Sequence, residues 1–99
     1  MPVRNGQNRA PLFEAVKKYV DDRVIPFHVP GHKQGKGLPE LGEYVGERIL
    51  NMDVNGMDDL DYANNPTGVI LEAQNLMARA YGAEKAHFLV NATTSGVQA

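Results

Sequence analysis

Residues 86–99, AHFLVNATTSGVQA, decide how this chain is read. The apolar run Phe88-Leu89-Val90 is followed by Asn91, then by Thr93-Thr94-Ser95 and Gly96. This pattern predicts a strand that stops, turns and gives way to a helix. Small residues at such a turn let the backbone approach a ligand closely. Unpaired N–H groups and the dipole at a helix start favour an anion, commonly a phosphate. Three consecutive hydroxyls add side-chain donors at the same place. The alternative for Thr93 to Ser95 is ordinary helix capping.

Working outward, 99 residues hold at most one domain. A hydrophobic share of 42% supports a core rather than disorder. Ten basic against 12 acidic residues give a net charge of −2, which argues against nucleic-acid or membrane partners chosen by bulk charge. The chain has no cysteine, so disulfides and thiolate metal sites are excluded. No apolar run approaches the ~18 residues of a membrane span, and the default expectation is a cytoplasmic protein.

The first ten residues read as a flexible lead. Pro11 suits a first helical turn, and Leu12, Ala15, Val16 and Tyr19 recur at helical spacing, predicting a helix to about Asp22. Val24 to Val29 is β-prone, but Pro26 restricts it to an edge strand or an extended arm. The loop GHKQGKG, Gly31 to Gly37, is pliable and basic. His28 and His32 lie four apart, yet Pro30 and Gly31 break any helix between them, so no metal site is expected. Together with Lys33, they are candidates for facing a polar ligand. Leu38 to Leu50 predicts a short or broken helix, weakened at Gly42 and Gly46. The aspartate-rich segment 51–65 lacks the register of a calcium loop and reads as a solvated acidic loop. Asn65 or Thr67 is expected to cap a helix that ends at Gly82, followed by Ala83-Glu84-Lys85 and an outward-facing His87.

Only Val97 to Ala99 follow Gly96, too few for a stable helix, and no second parallel strand is present. The expectation is therefore the opening piece of a larger α/β protein.

Several motifs then align in order. FHVPGHKQGKG (Phe27 to Gly37), Asp58-Asp59-Leu60, Pro66-Thr67-Gly68 and AQNLMARAYGAEKAHFLVNATTSGVQA together resemble the start of the ornithine/lysine/arginine decarboxylases. The resemblance covers about Pro11 to Ala99. It implies a pyridoxal phosphate (PLP) enzyme of the aspartate-aminotransferase type, fold type I. The implied fold class is α/β: the N-terminal part of a large domain, with an incomplete parallel sheet and flanking helices. The implied organisation is a lead over 1–10, an arm and entrance segment over 11–64, and a truncated cofactor domain over 65–99.

The same resemblance assigns the cofactor phosphate to Thr94 and Ser95, with Gly96 and Thr93 contributing. The family turn more often has Gly where this chain has Ala92. His28, His32 and Lys33 are placed on the substrate side. The family's covalent lysine lies downstream, and none of Lys17, Lys18, Lys33, Lys36 or Lys85 sits in its motif. A chain of this length is thus expected to be inactive alone. The full enzyme is expected to take a small amino-acid substrate and to form homo-oligomers. A fold-related aminotransferase and a small non-catalytic phosphate-binding module are the alternatives.

Overall fold

A computed structural model describes residues 6–99. Among these residues five helices occur in chain order: α1 (Pro11–Asp21), α2 (Pro39–Val45), α3 (Glu47–Asn51), α4 (Val69–Tyr81) and α5 (Ala92–Gln98). Residues 1–5 of the expected lead lie outside the described residues.

The α/β expectation is overturned, because no strand and no sheet occur among the described residues. A single antiparallel bridge, Met57 to Asp61, is the β pairing present there. The physical reason is partnership. A strand's backbone donors and acceptors need a neighbour, and a parallel neighbour needs a long crossover. The apolar run Phe88 to Val90 meets no such neighbour among the described residues, and its three residues remain exposed and irregular. Val24 to Val29 likewise forms no strand.

The helix expectation at the chain's end is corrected too. A helix does form, because it begins at Ala92 and recruits Thr93 to Gly96 into its own turns. Asn91 and Ala92 enter it with φ of 61° and 62°, a left-handed backbone that costs a residue bearing Cβ.

Local signals account for the helices. Pro11 opens α1, and Glu14 reaches back to the N–H of Ala10 at 3.0 Å. Pro39 opens α2. Gly46, at φ 92°, separates α2 from α3, giving the broken helix. Gly82, at φ 65°, ends α4, and the N–H of Ala83 bonds the Ala78 carbonyl at 2.8 Å.

The core is small: Tyr19, Leu50, Leu60, Leu76 and Ala78. Helices α1 and α4 pack together, bringing Tyr19 and Leu76 into that core. Burying a leucine such as Leu76 contributes about 1.5–3 kcal/mol. Gln7 donates to the Leu76 carbonyl at 3.0 Å, and Arg9 bridges Glu14 (2.6 Å) and Glu72 (2.9 Å), laying residues 6–10 along α4. Phe27 (92% exposed) and Tyr44 (91%) lie at the surface. No helix of the described residues is long and apolar enough to cross a membrane.

Candidate functional site

The hydroxyl-rich turn is open. Asn91 stands at the N-cap of α5 and makes no side-chain cap bond, so the first-turn N–H groups receive nothing from it. Thr93 and Thr94 are exposed, and their hydroxyls have no partner among the described residues. Ser95 differs. Its Oγ lies 2.5 Å from the Val90 carbonyl and 3.0 Å from the Ala92 carbonyl, so the hydroxyl turns back on its own chain. Gly96 lies beneath Leu89: a Cβ placed there would sit 2.4 Å from Leu89 Cδ1. Its lack of a side chain is therefore matched by internal packing. Two free hydroxyls beside an uncapped helix start form a donor set that fits a phosphate monoester.

The basic loop is occupied by internal bonds. The His28 Nδ1 lies 2.6 Å from the Val29 carbonyl, which only accepts, so Nδ1 carries the proton. Its Nε2 is left to accept from the hydroxyl of the buried Tyr19, whose ring is tilted 59° to the imidazole at 5.6 Å. Lys33 Nζ donates to the His28 carbonyl. His32 has the opposite tautomer. Its Nδ1 accepts from the Gly35 N–H at 3.0 Å, and its Nε2 donates to Asp53 at 2.9 Å. The loop coils through left-handed Lys33, Gln34 and Gly35, with φ of 49°, 61° and 88°. At Gly35 a Cβ would also meet Leu50 Cδ1 at 2.8 Å. The Val29–Pro30 bond is cis. His28 and Lys33 are thus joined directly, while His32 faces Asp53 instead.

A groove of about 760 Å³ runs beside the end of α1 and along α2 and α3, with Arg23, Lys36, Glu43 and Glu47 on its walls. Part of the basic loop lines it, but none of His28, His32, Lys33 or Thr93 to Gly96 does. No group of three or more His, Cys, Asp or Glu among the described residues could hold a metal.

Asp61 is the residue that sequence reasoning missed. The aspartate-rich segment is not uniformly solvated, since Asp61 is only 4% exposed. Its Oδ1 accepts from the N–H of Tyr62 (2.8 Å) and Thr67 (2.9 Å). Its Oδ2 accepts from Gly68 (2.7 Å), Ile70 (3.0 Å) and Leu71 (3.4 Å). Burial pushes this carboxyl upward, but the N–H groups of Thr67, Tyr62, Gly68 and Leu71 outweigh it and hold it well below the usual carboxylate range. The expected caps, Asn65 and Thr67, are displaced: Gly68 holds the N-cap, and the side chain that closes the helix comes from seven residues upstream. One sequence signal pointed inward. Leu60, an apolar residue in an acidic run, is buried beside Asp61.

Comparison with known proteins adds a lineage to this geometry. Residues 10–99 match the family model described as "Orn/Lys/Arg decarboxylase, major domain". The chain is 37% identical over 93 residues to "Arginine decarboxylase" of Bacillus subtilis (strain 168), covering 93% of this chain and 19% of that protein. It is 29% identical over 92 residues to "Constitutive lysine decarboxylase" of Escherichia coli (strain K12), covering 86% and 13%. The same identity, length and coverage relate it to "Ornithine decarboxylase" of Haemophilus influenzae. The chain therefore spans about a fifth or less of the length of these relatives. No solved structure matches.

Proposed function

The chain belongs to the Orn/Lys/Arg decarboxylase family, and on that footing we propose that it supplies the phosphate-anchoring turn and the entrance arm of a PLP-dependent decarboxylase. The family is PLP-dependent. The proposed reaction releases carbon dioxide from arginine, lysine or ornithine, in a cytoplasmic, homo-oligomeric enzyme acting on a free amino acid. The observation that carries this reading is the family match from residue 10 to residue 99, with Thr93 and Thr94 open at its end.

When bound, PLP supplies the electron sink that accepts the pair left behind by a departing carboxylate. This chain's contribution is binding and orientation. Thr93 and Thr94 donate their hydroxyls to the phosphate, and the first turn of α5 adds N–H groups and its dipole. In this reading Ser95 takes part by leaving the carbonyls of Val90 and Ala92, and Gly96 leaves the turn free of a side chain. His28, His32 and Lys33 are assigned to the substrate side. There the internal bonds of His28 fix its tautomer, and Asp53 fixes that of His32. No lysine of this chain is assigned the covalent role.

The test is an amide NMR titration of the chain with PLP and with pyridoxal, which lacks the phosphate. Shifts at Thr93, Thr94 and Gly96 with PLP only are expected, and they should vanish in a Thr93→Ala, Thr94→Ala double variant. Equal shifts with pyridoxal, or none with PLP, would remove the turn from the cofactor site.

A further inference from the structure

The carboxylate of Asp61 makes a site of a different kind, and it uses none of the residues assigned above. Five backbone N–H groups, those of Tyr62, Thr67, Gly68, Ile70 and Leu71, converge on it. No Lys, Arg or His pairs with it among the described residues. Its negative charge is balanced by backbone dipoles alone, which is how proteins hold bound anions. The residue also sits at φ 68°, a conformation that aspartate tolerates better than most residues. Its bond to the next N–H, Tyr62, is one that this backbone makes available. The chain at Gly68 runs alongside the carboxylate closely enough that a Cβ there would lie 3.6 Å from its Cγ and Oδ2. Every buried side-chain polar atom among the described residues has a partner, so the arrangement is complete.

We propose that Asp61 is an internal anion: a positioning residue whose carboxylate fills a backbone cradle and so fixes the 61–68 loop and the start of α4 as one unit. The cradle is preformed by the chain, and the side chain is its resident ligand. Removing the carboxylate without disturbing the backbone empties the cradle, and a small dissolved carboxylate of the same shape takes its place.

Asp61→Gly is the informative variant, because glycine accepts φ 68° at no steric cost and deletes only the acetate-like side chain. In the wild-type 99-residue chain, amide exchange at Gly68, Ile70 and Leu71 is expected to be slow and indifferent to added acetate. In Asp61→Gly it should quicken by at least about tenfold, the equivalent of one lost bond to a charged group. Sodium acetate should then restore protection at these three amides, and sodium chloride at equal ionic strength should restore less. Asp61→Asn keeps one acceptor oxygen of the pair and should fall between the two. If the glycine variant does not fold in plain buffer, the readout becomes recovery of helical circular dichroism on adding acetate. Failure of acetate to outdo chloride overturns the cradle. An Asp61→Asn chain indistinguishable from wild type overturns the requirement for charge.

Discussion

Two helix starts in this molecule solve the same problem in opposite ways. At the head of α4 a buried carboxylate takes the N–H groups of Gly68, Ile70 and Leu71. At the head of α5 the N-cap side chain takes none, and two threonine hydroxyls face outward without partners. Both ends carry the same backbone dipole and the same orphan donors. What differs is whether the chain brings its own anion. A closed end is architecture. An open end lined with hydroxyls is where a phosphate would find unmet donors, and it is this end to which the proposed function assigns the cofactor phosphate.

The comparison breaks most visibly at its closed end. Asp61→Leu strands buried donors and adds a side chain where the cradle lies, so thermal unfolding followed by circular dichroism is expected to lose its cooperative transition. The next effect in size is one of pH. Because the native Asp61 carboxyl is held below the ordinary value, its contribution is complete only above a pH of about 5, where an unfolded aspartate is almost fully ionised. That contribution drains away as the pH falls through the lower native value. Exchange at the start of α4 should therefore quicken in acid, while the start of α5 follows only the intrinsic chemistry of exchange. If both ends change together, the carboxylate is not what separates them.

Smaller changes sharpen the open end. Ala92→Gly removes a left-handed alanine at φ 62° and is expected to steady α5 by about 1 kcal/mol, read from exchange within 93–98. Replacing Thr93 and Thr94 by alanine should move overall stability least, by about 0.5 kcal/mol at most, since neither hydroxyl holds anything in the chain. The same pair should nevertheless abolish the response to PLP, and that contrast between stability and binding is the sharpest form of the comparison.

Sequence alone was informative wherever the cause was local. Pro11, Gly46 and Gly82 act through their own φ or their missing N–H, and the helices begin, break or end at those residues as expected. The sheet was illegible because a strand is a relation between segments. Phe88 to Val90 has the composition of a strand but no neighbour among the described residues to bond with. Asp61 was hidden for a related reason. Beside Asp53, Asp58 and Asp59 it has the same chemistry, and only the fold of the loop from 61 to 68 separates the buried one from the solvated three. His28 likewise gave no hint that a tyrosine nine residues earlier would take its Nε2. At the hydroxyl turn the residue types were readable, whereas the inward rotation of Ser95 is a matter of geometry.

The tether at Asp61 also has a consequence for competition. A ligand attached through its own chain is present at an effective concentration of about millimolar or more and cannot diffuse away. Dissolved phosphates and carboxylates in a cell must displace it to reach the amides behind it, whereas at Asn91 they displace only water. One short polypeptide thus carries two similar dipoles and is deaf to the surrounding pool of anions at one of them.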